Sequence, residues 1–309
     1  MNTDDRGSLR TIGIEIKSGS FEAVCVDGSG EVGDSLSGEF DTGVDLTQQI
    51  LAFLSIAENE LGPFGSVGLA VPGLVDINTN RVVYSDQFPE LEKTDIAGEV
   101  LAASGKPTFL ENDANAAAFG ELKAGAGQDT EDLFYVTAGT GVGGALILDG
   151  KLWHGVSGFA GEFGYFALDS EGLRLEDVAS ASGVERRAKN RLHQDPASSL
   201  FEIGEENITF EDVLAAANEK DGLAELILER TGMFVGTAVA SVINLLNIEK
   251  IIIGGDLMKA SSVVLEPIRK RAAEFSFEPG FRKVDIKAGK LGSNAGCIGA
   301  ALIALQKQD

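Results

Sequence analysis

Apolar and polar residues alternate with a period of two in two pairs of short runs. Near the start, "TIGIEI" and "FEAVCVD" flank the polar turn "KSGS"; in the middle, "LFYVTA" and "GGALILD" flank the glycine-rich "GTGV". Alternation, β-branched content and turn chemistry predict a β-hairpin at each place. After each hairpin the apolar spacing becomes helical. It predicts helices over Asp45–Leu61, Asp113–Ala124, Glu176–Leu192, Phe210–Lys220, Leu223–Leu246, Ser261–Phe275 and Asn294–Gln306. Between them, "SVGLAVPG", "PTFLEN" and "KIIIGG" read as short buried strands. Strands alternating with helices imply an α/β protein with a largely parallel sheet, to which each hairpin adds an antiparallel portion. The order hairpin, helix, strand, loop occurs twice, which predicts two similarly built lobes facing a cleft.

Composition narrows the class. A chain of 309 residues can bury a substantial core, and 44% apolar content with Gly 39 and Pro 7 excludes a fibrous or disordered chain. With 48 acidic against 25 basic residues the formal charge is −23. That field repels nucleic-acid phosphates and bears on solubility, so no nucleic-acid partner is expected. The N-terminal "MNTDDRGSLR" carries acids and no apolar segment, unlike a signal peptide, and no uninterrupted apolar run is long enough to span a bilayer. A cytoplasmic protein with no membrane partner is expected. Cys25 and Cys297, each in an apolar segment, read as buried free thiols, although spacing alone leaves a disulfide between them open.

Three stretches carry candidate chemistry. "AGTGVGG" (Ala138–Gly144) lets successive backbone N–H groups point into one concavity, a nest for phosphate oxygens. It lacks the Gly-Lys-Ser/Thr of a Walker loop, and the strand that follows excludes a dinucleotide fingerprint. A bare hairpin turn would need fewer than its four glycines, which favours phosphate binding. "IIIGGDL" puts Gly254 and Gly255 at a strand end, where bare backbone suits a nucleotide base or ribose, or equally a plain strand-to-helix turn. "ENDANAAAFGE" places Glu111, Asn112 and Asp113 before an alanine-rich helix, where one N-cap would suffice. At a strand end facing a cleft, Asn112 would bond a substrate hydroxyl and Asp113 would accept its proton, the base that phosphoryl transfer needs. Glu162 in "GFAGEFGYFAL" and Glu176 suit hydroxyl recognition, though each taken singly reads as a solvated surface acid.

Together "VPGLVD", "ENDANAAAFGE", "AGTGVGGALILDGKLWHGVSGFAGEFG", "IIIGGDL" and "LGSNAGCIGAALIAL" resemble the ROK family of sugar kinases and related repressors, over nearly the whole chain. The resemblance implies an actin-like ATPase fold, two ribonuclease-H-like lobes around a central cleft. The lobes would be residues 1–117, with the helix in 294–309 packing back on them, and residues 118–293. It implies ATP with Mg2+ as cofactors, a hexose or N-acetylhexosamine as substrate, and a homodimer. Asp113 matches the catalytic base. Gly73, Asn112, Glu162, Tyr165 and Glu176 fall at sugar-binding positions, Tyr165 where the family has histidine. Gly139, Thr140 and Gly141 match the second phosphate loop, and Gly254 and Gly255 the adenosine side.

Two departures stand out. The family's first phosphate loop reads Asp-x-Gly-Gly-Thr-Lys, and here those positions hold Glu15, Ile16, Lys17, Ser18, Gly19 and Ser20. The acid is one methylene longer, and Lys17 brings positive charge from a new direction. The family's zinc-binding cysteine cluster is missing, with Tyr165 at its histidine and Arg174 at a cysteine position, so no structural zinc is expected. His154 and His193 read as surface residues. Two readings follow: a sugar kinase, favoured by the Asn112–Asp113 pair and the second loop, and a degenerate sugar-binding or regulatory relative, favoured by the altered first loop. A DNA-binding repressor would need a helix-turn-helix ahead of Thr11 and is not expected.

Overall fold

The computed structural model describes residues 10–41 and 43–308; apart from Arg10, the acidic N-terminal stretch lies outside the described residues. The chain divides into two compact units, residues 1–131 with 146–160 and 293–309, and residues 132–145 with 161–292.

The first unit contains strands β1 (Thr11–Ile16), β2 (Ser20–Val26) and β3 (Val32–Glu39), helix α1 (Leu46–Leu61), strands β4 (Ser66–Val71), β5 (Leu74–Asp76) and β6 (Arg81–Tyr84), helix α2 (Ile96–Ser104), strand β7 (Thr108–Asn112) and helix α3 (Asp113–Ala124). Its sheet has the order β3-β2-β1-β4-β7. The hairpin pairs β1 with β2 antiparallel, while β4 and β7 run parallel to β1. Next come β8 (Leu133–Ala138), β9 (Val142–Leu148), β10 (Lys151–Leu152), α4 (Leu175–Ala179), α5 (Ala181–Arg191), α6 (Leu200–Ile203), α7 (Phe210–Asn218), α8 (Gly222–Leu246), β11 (Lys250–Gly254), α9 (Ser261–Phe275), α10 (Glu278–Phe281), β12 (Asp285–Ala288) and α11 (Ala295–Gln306). The second sheet, β10-β9-β8-β11-β12, repeats the plan of the first, with β11 parallel to both β8 and β12.

The two faces of β1 explain its sequence. Ile12, Ile14 and Ile16 are fully buried in the apolar cluster with Ile50 and Phe53 of α1 and Ile96 and Val100 of α2. On the other face α11 lies so close that a Cβ at Gly13 or Gly68 would fall inside the carbonyl of Cys297 or Ala300. Behind it α3 packs as tightly, with Gly299 against the Ala116 carbonyl and Gly120 against that of Ala295. The first stretch of this unit runs on past α3 to Glu131. α3 is one continuous helix, buried from Ala114 to Leu122, and a cut at 117 would divide it.

Further differences have local causes. The helix expected over Glu176–Leu192 is two, α4 and α5, because Ser180 is extended (φ −71°, ψ 163°) and its side chain caps α5 at Gly183 N–H. β3, β5, β6, β12 and α2 were not expected. By length and composition α8 would cross a membrane, a reading its interrupted apolar run did not give. Most of that stretch is buried inside the unit against α7 and α9, as in a core helix.

Candidate active site

The three polar residues before α3 have three separate jobs. Glu111 is buried: Oε1 accepts from Asn112 N–H and from Asn115 Nδ2, each at 3.0 Å. Its Oε2 lies 2.9 Å from His154 Nε2, the two side chains being 4% and 17% exposed. His154 is thus not the surface residue expected; it partners a buried acid. Asn112 caps α3 through Oδ1, which accepts from Asn115 N–H at 3.1 Å. Its Nδ2 donates to the Gly73 carbonyl at 2.9 Å and to Asp113 Oδ1 at 3.0 Å, which uses both amide hydrogens and leaves Oδ1 one lone pair for a ligand. Asp113, first residue of the helix, also accepts from Ala114 N–H at 2.9 Å. A Cβ at Gly73 would stand 2.5 Å from the Tyr84 carbonyl, so this glycine is fixed by packing as well as by its bond to Asn112.

Glu15 is the penultimate residue of β1 in the same unit. Burial raises its pKa from 4.5 to about 7; Lys17 opposes this, and the charges of Asp113 and Glu22 add to it. Its carboxylate lies against Gly296 in the first turn of α11. Lys17 Nζ sits 3.6 Å from Glu15 Oε2 and donates to the Ser293 carbonyl at 2.8 Å. In the altered turn only Gly19 takes a positive φ (+87°), and Lys17 N–H closes it on the Ser20 carbonyl.

The glycine-rich turn joins β8 to β9 in the second unit. Gly139 N–H donates to the Gly141 carbonyl at 2.9 Å, and Thr140 stands exposed at the tip. A Cβ at Gly139 would lie 3.2 Å from Asp256 Oδ2, and one at Gly141 3.3 Å from Glu176 Oε2. The turn is therefore bare backbone on either side of Thr140, with the Asp256 and Glu176 carboxylates alongside it. Gly254 faces the Tyr135 hydroxyl and Gly255 has φ +81°, so both meet local packing demands. Sequence reasoning missed Asp256 beside the turn and Lys259, 3.0 Å from Asp256 and 3.1 Å from Glu211; the i, i+3 acid–base spacing in "GGDLMK" was the available signal.

Glu162 and Glu176 also belong to the second unit, and desolvation together with the Glu176 charge raises the Glu162 pKa. Glu176 Oε2 accepts from Val142 N–H at 3.0 Å. Tyr165 is exposed, with the Arg174 guanidinium 4.5 Å above its ring. Among the described residues no three His, Cys, Asp or Glu side chains converge. Cys25 and Cys297 are buried and free.

The strand order of the first sheet, repeated in the second, is that of an actin-like ATPase fold. The chain belongs to the ROK family, whose model matches residues 11–307. It is similar to the glucokinase of Halalkalibacterium halodurans, 31% identical over 259 residues, which cover 79% of this chain and 77% of that one. Among solved structures it resembles a ROK family glucokinase from Streptomyces griseus in complex with glucose and AMPPNP, with TM-score 0.86 and 29% identity, covering 96% and 99% of the two chains. It is also 30% identical over 232 residues to the DNA-binding transcriptional dual regulator NagC of Escherichia coli, covering 72% of this chain and 56% of NagC.

Proposed function

We propose that this protein is an ATP-dependent sugar kinase acting on a hexose or N-acetylhexosamine. The observation that carries the reading is Asp113, oriented at the start of α3 by Asn112 Nδ2 and its own helix. In this reading Asp113 takes the proton of a sugar hydroxyl as its oxygen attacks the γ-phosphorus; the bond to the ADP oxygen breaks, and phosphate passes to the sugar. Gly73, Asn112, Glu162, Tyr165 and Glu176 hold the sugar. Gly139, Thr140 and Gly141 take the phosphates, Gly254 and Gly255 lie on the adenosine side, and Glu15 and Lys17 flank the phosphates from the altered first turn. Mg2+ bound with the nucleotide would supply neutralising charge on its phosphates. We propose further that the protein is a cytoplasmic homodimer without structural zinc, and that its units correspond to the family's two lobes.

A coupled assay with ATP and Mg2+ over glucose, mannose, fructose, N-acetylglucosamine and N-acetylmannosamine tests this. Turnover on at least one sugar is expected, falling by at least about a hundredfold in Asp113→Ala. The second reading, a sugar-binding regulator without transfer activity, draws on Lys17, whose ammonium is already engaged by Glu15 and Ser293. Sugar binding by calorimetry with no turnover on any sugar would favour it over the kinase.

A further inference from the structure

The glycine turn is gripped from one side by a single segment of the second unit. Glu176 Oε2 accepts from Val142 N–H at 3.0 Å at one end of the turn, and the Gly139 carbonyl accepts from Ala181 N–H at 2.7 Å at the other. Glu176 Oε1 makes no protein hydrogen bond among the described residues. Glu176 also crowds Gly164, where a Cβ would stand 3.0 Å from Oε2, so the same carboxylate abuts the segment that carries Glu162.

What holds Glu176 there is a small hairpin. Leu168 N–H donates to the Leu173 carbonyl at 2.7 Å, Leu175 N–H donates to the Phe166 carbonyl at 2.9 Å, and Ala167 bridges Arg174. Asp169 Oδ1 closes its tip by accepting from Glu171 and Leu173 N–H at 2.9 and 3.0 Å. At its base the Arg174 guanidinium stacks on Tyr165, and Arg174 N–H donates to Asp177 Oδ2 at 2.9 Å, which starts α4. Glu176 follows as the second residue of that helix, behind the fully buried Leu175.

We propose that Glu176 is a positioning residue for the phosphate turn, set in place by the Phe166–Leu175 hairpin and its Tyr165–Arg174 stack, which do here by packing what a metal cross-link would do. One carboxylate oxygen shapes the turn and the other faces outward for a sugar hydroxyl, so nucleotide affinity depends on a residue of the sugar segment. The inference rests on the reading of the turn as a phosphate site.

Two measurements test it on the full chain: calorimetric binding of Mg2+–AMPPNP without sugar, and hydrogen exchange of the Val142 amide. Removing one hydrogen bond in Glu176→Ala is expected to weaken AMPPNP binding about tenfold and to speed Val142 exchange by a similar factor. Glu176→Gln keeps a carbonyl acceptor and should return both values to within about threefold of native. Arg174→Ala, which removes only the stack, should speed Val142 exchange about threefold. Native Val142 exchange in Glu176→Ala, or a Gln variant as impaired as Ala, would overturn the proposal, and native exchange in Arg174→Ala would remove the hairpin from it. Should the native protein bind no AMPPNP, the nucleotide reading fails, while Val142 exchange still decides whether Glu176 shapes the turn.

Discussion

Glu15 shows how burial alters the chemistry of a turn. Its carboxyl keeps a proton up to about pH 7 because burial disfavours the charge more than Lys17 restores it. Below pH 4.5 the folded and unfolded chains both hold that proton. Between there and 7 the unfolded chain releases it and the folded chain does not, so stability falls as pH climbs through this window. The loss amounts to about 3 kcal/mol. Glu15→Gln should therefore be more stable than native by about that amount at pH 8 and no different near pH 4.5, read from urea unfolding in EDTA. Equal stabilities at pH 8 would mean that Lys17 already neutralises the acid. His154 makes the opposite case. Removing it in His154→Ala leaves Glu111 Oε2 buried and without that partner, a loss of about 2–3 kcal/mol, and His154→Gln should recover about half by supplying an N–H. Urea unfolding at fixed pH reads both; a His154→Ala protein as stable as native would show that water takes the place of the imidazole.

At the scale of elements, α11 is held by absent side chains. Gly13, Gly68, Gly120 and Gly299 let it sit between the sheet and α3 at backbone contact. Gly299→Ala should cost about 3 kcal/mol or more, because its Cβ would fall inside the Ala116 carbonyl and two helices would have to part. Gly222→Ala, at the start of α8 with nothing within 4 Å of a new Cβ, should be neutral or gain up to about 1 kcal/mol. Thermal unfolding of the two variants checks the contrast, and similar melting temperatures would refute it. The same contrast explains what the sequence disclosed. Strand Thr11–Ile16 alternates apolar and polar or small residues, Leu133–Ala138 is an apolar buried run, and both lie where the pattern put them. Strand β3, "VGDSLSGE", is an edge strand with most positions open to solvent, so it has no apolar rhythm to read. Helix α2 spans only nine residues, and its signals are Asp95, which caps it, and Gly105, which ends it with φ +72°. The cap of α3 at Asn112 was legible because the helix it starts is local in sequence. The Glu111–His154 pair was not, since those residues are 43 apart and only the fold brings them together.

Across the whole molecule the charges do not balance. Even if each of the 25 basic residues paired with an acid, 48 − 25 = 23 acids would remain without a basic partner. Exposed pairs such as Lys259–Glu211 and Lys220–Glu225 contribute little each, so repulsion among the surplus outweighs the attraction they add. Added salt weakens both, and the larger effect governs. The Debye length shortens from about 10 Å at 0.1 M to about 3 Å at 1 M, below the spacing of most surface charges. The melting temperature should therefore rise by about 5 °C between 0.05 and 1 M KCl, with most of the gain in the first half of that range. Scanning calorimetry across a salt series measures it. If screening is the cause, NaCl and KCl at equal ionic strength give the same gain, and a difference between them would assign it to a bound cation. A melting temperature that falls with salt would mean that the ion pairs outweigh the 23 surplus charges.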